Sequence, residues 1–227
     1  MKAVRRILVV AAALLLAGVC AIVWLGSNFA LRPPWYTHRT PEQGLLPPTD
    51  FMLDWNWVVG DPLVAETTMG AMIEEEHLDK VMGHIADAHE AGSTCSVGGR
   101  RIREDSGGWF VEPTVFTDVD PSSRLAREEV FGPVLAVTAF DTPEEAIRLA
   151  NDTDYGLAGT IHTTDLRTAH LATRAMRAGT VAVNCYGEGD ITTPFGGFKQ
   201  SGFGGRDKSI AAHEQYTELK TIWMDLS

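Results

Sequence analysis

Residues 134–184 read VLAVTAFDTPEEAIRLANDTDYGLAGTIHTTDLRTAHLATRAMRAGTVAVN, and this stretch decides the fold. Val134–Phe140 is a short apolar run rich in β-branched residues, the mark of a buried strand. Pro143, well placed at a helix start, opens a helix that runs to Ala150. A further helix spans about Leu166–Arg177 and stops before Gly179, and Thr180–Asn184 reads as strand again. Helices that alternate with short apolar strands predict an α/β domain with a largely parallel sheet.

Upstream the same text continues. From Glu74 to Ala91 the residues Leu78, Val81, Met82, Ile85 and Ala88 recur at spacings of three and four, which predicts an amphipathic helix. Glu74, Glu75 and Glu76 lie in its first turn, where the helix dipole favours negative charge, and Gly92 stops it. Apolar segments at Thr94–Val97 and Phe110–Phe116 read as further strands, and Gly60-Asp61-Pro62 as a turn.

Residues 1–57 differ in character. Lys2, Arg5 and Arg6 precede an apolar run from Ile7 to Leu25, whose 19 residues would span about 28 Å as a helix, close to the thickness of a bilayer core. The basic flank favours an N-terminus in the cytoplasm and the remainder across the membrane. The expectation is therefore one transmembrane helix within residues 1–25 and a single-pass, membrane-anchored protein. A cleaved signal is the alternative, but its apolar region is usually shorter, and no clear small-x-small site follows. Cys20 follows Val19 rather than a small residue, which argues against a lipidated cysteine. Residues 26–57 read as a linker, because Pro33-Pro34, Pro41 and Pro47-Pro48 forbid regular structure. Its aromatics include Trp35 and Tyr36, which suit a membrane interface.

Charge excludes one class of partner. The net charge is −11, with five Lys/Arg against three Asp/Glu in residues 1–57 and fourteen against twenty-seven in residues 58–227. So acidic a body offers no basic face for phosphates, which argues against nucleic acid. Cys20, Cys95 and Cys185 are widely spaced and odd in number, so neither a disulfide framework nor a zinc site is indicated. His77, His84 and His89 stand seven and five apart and do not share a metal-binding face, so no metal is expected. Gly197–Gly202 has P-loop spacing, yet Phe203-Gly204 replaces the required Lys-Ser/Thr. His89-Glu90 opens an HExxH pattern that Ser93 breaks.

Several strings together resemble one family. Val59-Gly60-Asp61-Pro62-Leu63 looks like the turn after the nucleophile helix of aldehyde dehydrogenases. Arg127-Glu128-Glu129-Val130-Phe131-Gly132-Pro133-Val134 is similar to that family's EE(I/V)FGPV string, and Asn151 with Tyr155-Gly156-Leu157 to its NxxxYGL. Ala178-Gly179-Thr180-Val181 with Val183-Asn184 resembles AGTVxVN, and Pro194 through Gly202 resembles PFGGxKxSG. These strings fall in family order over residues 58–227. The loop Cys185–Thr192 and the ending Tyr216–Trp223 look most like members acting on γ-glutamyl-aminobutyraldehyde and related amino-aldehydes.

The resemblance implies a partial aldehyde dehydrogenase catalytic domain and an oxidoreductase that uses NAD or NADP. In that family a cysteine thiolate attacks the aldehyde, hydride passes to the cofactor, and a glutamate-activated water releases the acid. By motif, Glu129 would hydrogen-bond the ribose next to nicotinamide, Phe131 would pack near that ring, and Phe195 would line the aldehyde pocket. A carboxylate accepting two hydroxyls is a charge-assisted anchor. Asn184, Gly196 and Gly197 read as structural. The segment Tyr216–Met224 would be a terminal strand that adds to a sheet across a homo- or hetero-oligomer.

The family's nucleophilic cysteine, its general-base glutamate and its dinucleotide-binding domain have no counterpart in these residues, so no catalytic residue is assigned. The chain is expected to be inactive alone and not to hold the cofactor by itself. The anchor would also put the body outside the cytoplasm, where the parent family works. The alternative is a membrane-anchored pseudoenzyme or binding protein that pairs with a full-length homologue.

Overall fold

A computed structural model describes residues 57–185, 190–203 and 206–227, together with the backbone of 6–11 and 20–24. The centre is a seven-stranded sheet in the order β10-β9-β2-β1-β7-β6-β3. Its strands are β1 (Arg6–Ala11), β2 (Cys20–Trp24), β3 (Thr94–Val97), β6 (Thr114–Thr117), β7 (Val134–Phe140), β9 (Ala158–His162) and β10 (Thr180–Val183). Two small ribbons accompany it. One pairs β4 (Arg101–Ile102) with β5 (Phe110–Val111), and the other pairs β8 (Tyr155–Gly156) with β11 (Phe198–Lys199). The helices are α1 (Glu75–Glu90), α2 (Arg124–Arg127), α3 (Pro143–Asn151), α4 (Leu166–Ala175) and α5 (Ala211–Glu214).

The expected helices and most expected strands form for the reasons their sequences give. In α1 the buried residues Leu78, Val81, Ile85 and Ala88 make one face, each large side chain contributing roughly 1.5–3 kcal/mol by leaving water. Gly92, at φ 81°, closes the helix: its N–H donates to the His89 carbonyl and that of Ser93 to the Ala88 carbonyl. Thr142 caps α3 and Asp165 caps α4 by accepting from Glu145 N and Thr168 N. Two apolar clusters result. One joins α1 to Val111, Phe116, Val130 and Val134, and the other joins α3 and α4 to Phe140 and Ile161.

Two expectations are corrected. The apolar run 7–25 is not one transmembrane helix: its described parts are strands. β1 pairs antiparallel with both β2 and β7, and β2 pairs parallel with β9. An uninterrupted apolar run is what a strand covered on both faces also looks like, so composition does not separate the two. Residues 12–19 of that run, and the expected linker up to residue 56, lie outside the described residues. Among the described residues no helix is long and apolar enough to cross a membrane.

The sheet, next, is mixed rather than largely parallel. Three of its pairings are parallel (β10 with β9, β9 with β2, β6 with β7) and three are antiparallel. β1 and β3 run against the other five. Tyr216–Met224, expected to add as a strand to another chain's sheet, pairs with no described strand of its own chain. It is irregular and exposed, with Leu219 and Trp223 almost fully open to solvent.

The segment expected as one strand at Phe110–Phe116 divides into β5 and β6. Pro113 has no N–H to give a ladder, so pairing changes partner there.

Candidate functional site

Glu129 and Phe131 sit on the turn that leads from α2 into β7. Ser123 caps the short α2 by accepting from Ala126 N, and Leu125 buries its inner face. Glu129 is half-buried, Val130 is buried, and Phe131 is 49% exposed. Phe131 has φ 54°, in the left-handed region, where a bulky side chain costs about 1–3 kcal/mol. Sequence reading gave no sign of that conformation.

Helix α1 grips this turn along one face. A Cβ on Gly132 would lie 2.6 Å from Val81 Cγ2, so the turn's backbone rests directly on the helix. One turn earlier, His77 Nε2 lies 2.6 Å from the Phe131 carbonyl oxygen. A carbonyl can only accept, so Nε2 carries the proton. Toward the other end, the fully buried His84 places Nε2 3.9 Å from Glu128 Oε2. Burial pushes the His84 pKa below its ordinary 6.5; Arg124 and Lys80 act in the same direction, and Glu128 and Asp87 oppose them. Arg124 bridges Asp87 at 2.6 Å and Glu128 at 2.8 Å, tying α2 to α1. The carbonyl of Pro133 then accepts from Thr114 N, fixing the turn to β6.

Phe195 belongs to a strap that returns over the start of β9 and β10. A Cβ on Gly179, just before β10, would fall 1.6 Å from the Gly196 carbonyl oxygen, so only glycine lets the strap lie that close. β11 pairs with β8, Gly156 N donates to Ser201 Oγ, and Lys199 Nζ donates to the carbonyls of Asn151 and Thr153, both at 2.8 Å. Phe195 itself is half-buried, exchanges two backbone hydrogen bonds with Asp207, and has Lys208 Nζ 5.0 Å from its ring centre. Asn184, read as structural, is so: at φ 55° it clasps Thr163 through both Nδ2 and Oδ1.

The two groups share one edge of the sheet. β2, β6, β7, β9 and β10 all run the same way, as the chain of pairings requires. The Glu129–Phe131 turn stands at the entry of β7, and Gly196 rests on the entry of β10. Between β10 and β7 lie β9, β2 and β1, four strand spacings or about 19 Å of edge. Glu129 and Phe131 thus share one turn, while the strap that carries Phe195 lies at the same end of the sheet, four strand spacings away.

The three cysteines sit in different settings. Cys95 is half-buried and its thiol donates to the Val97 and Gly98 carbonyls of its own loop, at 3.4 and 3.7 Å. Cys185 is exposed after β10. Cys20 opens β2 opposite Ala158, and only its backbone is described. Among the described residues no group of three His, Cys, Asp or Glu could hold a metal.

A mixed sheet flanked by helices, with a strained carboxylate-and-aromatic turn at the entry of one strand and a glycine-dependent strap at the entry of another, defines an α/β domain. The chain belongs to the aldehyde dehydrogenase family, whose model matches residues 55–222. An aminoacetaldehyde dehydrogenase of Pseudomonas aeruginosa is 48% identical over 203 residues, covering 89% of this chain and 40% of that protein. The NADP/NAD-dependent aldehyde dehydrogenase PuuC of Escherichia coli is 48% identical over 171 residues, 75% of this chain and 34% of its own length. Among solved structures, an indole-3-acetaldehyde dehydrogenase of P. syringae, in complex with NAD+ and IAA, superposes with a TM-score of 0.71 at 51% identity, covering 75% of this chain and 34% of that one. A γ-glutamyl-γ-aminobutyraldehyde dehydrogenase of Burkholderia cenocepacia gives 0.69 at 52% identity over 72% of this chain and 33% of its own. The chain therefore spans between a third and two fifths of the length of these relatives.

Proposed function

We propose that this chain carries the nicotinamide-ribose and aldehyde-pocket share of an aldehyde dehydrogenase site and does not complete the reaction alone. The observation that carries this is the turn 129–132, which presents a carboxylate and a half-exposed aromatic ring in a strained backbone held from two sides. Strain of this kind persists only where surroundings enforce it and is concentrated at ligand sites. Glu129 accepts two ribose hydroxyls in charge-assisted hydrogen bonds, Phe131 packs against the nicotinamide ring, and Phe195 lines the aldehyde side. NAD or NADP, when bound, accepts the hydride. A thiolate nucleophile and a base for water come from outside the described residues, so oxidation of an aldehyde needs a chain that supplies both.

The substrate class is an amino-aldehyde, a reading supported by relatives named for aminoacetaldehyde and γ-glutamyl-γ-aminobutyraldehyde. Ribose contacts without a dinucleotide domain give affinity of roughly millimolar order, near −4 kcal/mol. The test is NADH formation, followed at 340 nm, from the purified 227-residue protein with aminoacetaldehyde and NAD+. No NADH above the protein-free rate is expected, and steady turnover would overturn the partial-site reading.

A second role rests on the exposed ending. Tyr216, Leu219, Ile222 and Trp223 are apolar and open to solvent, which supports docking onto a second copy or a full-length homologue. Co-purification with an intact dehydrogenase, lost when residues 216–227 are removed, tests it; unchanged co-purification sinks it. Neither role requires a membrane.

A further inference from the structure

Helix α1 touches the turn 128–132 three times from one face: His84 near Glu128, Val81 under Gly132, and His77 on the Phe131 carbonyl. Residues 77, 81 and 84 recur at helical spacing, so one rigid stripe serves the whole turn. The three contacts differ in kind. Val81 sets how close the turn lies, His84 fills buried space, and only His77 makes a directed hydrogen bond to the residue held at positive φ. A peptide in the left-handed region returns to the extended region unless something holds its carbonyl, because β-carbon sterics favour negative φ.

We propose that His77 is a positioning residue for Glu129: its Nε2–H, fixed on the Phe131 carbonyl, keeps the turn in the conformation that presents Glu129 and Phe131 together. The proposal rests on the reading of that turn as a nicotinamide-ribose site. Without the donor, Phe131 samples negative φ, the peptide unit rotates, and the carboxylate two residues earlier loses its fixed direction. A neutral amide donor of similar reach substitutes for the imidazole, so Gln at position 77 restores the turn and Ala does not.

The experiment compares wild type, His77→Ala and His77→Gln by amide hydrogen exchange and by NMR titration with nicotinamide mononucleotide. Exchange across 128–134, including the Val134 amide that donates to Gly132, rises about threefold to tenfold in His77→Ala, the range one lost hydrogen bond gives. Exchange in residues 80–90 of α1 stays unchanged, and His77→Gln returns the turn to within about twofold of wild type. In the titration, perturbation of the 129–131 amides weakens by a similar factor in His77→Ala and recovers in His77→Gln. Unchanged exchange in His77→Ala, or failure of Gln to restore it, overturns the clamp. If wild type shows no response to the mononucleotide, the ribose-site reading fails, while the exchange data still decide whether His77 holds the turn.

Discussion

Gly132→Ala is the perturbation that most directly tests whether helix α1 supports the candidate cofactor turn. The added Cβ would stand 2.6 Å from Val81 Cγ2 and 2.9 Å from Cγ1, closer than methyl groups approach without displacement. Val81 cannot turn aside. It is fully buried, and a β-branched side chain in a helix has one strongly preferred rotamer. Overpacking of this kind costs about 1–3 kcal/mol. Val81→Ala alone removes buried methyl groups at a cost of about 2 kcal/mol. The same truncation vacates the space the new Cβ needs, so Gly132→Ala made in that background should cost under about 1 kcal/mol. Four proteins carried through urea unfolding, followed by far-ultraviolet circular dichroism, complete the cycle. The two changes together should be less destabilising than their sum by about 1–2 kcal/mol. Strict additivity, or a Gly132→Ala protein as stable as wild type, would refute the contact between α1 and the turn.

Other consequences follow from individual contacts. His84 and His162 are buried with their pKa values held below 6.5, chiefly by burial, so the fold keeps them neutral while the unfolded chain charges them. Stability should be full above pH 6.5 and fall below it, by at most about 1.4 kcal/mol per pH unit for each histidine. Urea melts at pH 7.5, 6.5 and 5.5 check the sign, and a protein more stable at 5.5 contradicts it. Asp120 and Asp165, whose carboxyls are held below 3.8 by hydrogen bonds to Ser122 and Thr168, act only in more acid solution. Asn184→Ala removes both arms of the Thr163 clasp and leaves an alanine at φ 55°, which should cost about 2–4 kcal/mol in the same melts. Deleting residues 216–227, which lie exposed, should change the unfolding free energy by less than about 0.5 kcal/mol; a large loss would mean the tail packs on the body.

The helices and motifs were legible because each has a local cause. Leu78, Val81, Ile85 and Ala88 announce a helix face by spacing, and Pro143 and Gly92 mark ends by chemistry that needs no tertiary partner. The family strings singled out Glu129, Phe131 and Phe195 as candidates. β9 escaped notice because Ala158-Gly159-Thr160 is weakly apolar, and its burial comes from neighbours far along the chain. The apolar run after Arg6 misled for the opposite reason: it satisfies a membrane helix and a central strand equally, and only pairing with β7 and β9 decides. Positive φ at Phe131 was illegible because a phenylalanine carries no local preference for it. Its support, His77, lies 54 residues upstream, and only the fold brings the two together.

The central claim is that the turn 129–131 binds the nicotinamide-ribose half of the cofactor through Glu129. An NMR titration of labelled wild type and Glu129→Gln with NAD+ at millimolar concentration tests it most directly. The account predicts shifts centred on the 129–131 amides of wild type and their loss, by about tenfold in apparent affinity, in Glu129→Gln, since a carboxylate's charge-assisted bonds become neutral ones. Shifts located elsewhere, or the same response in both proteins, would contradict it.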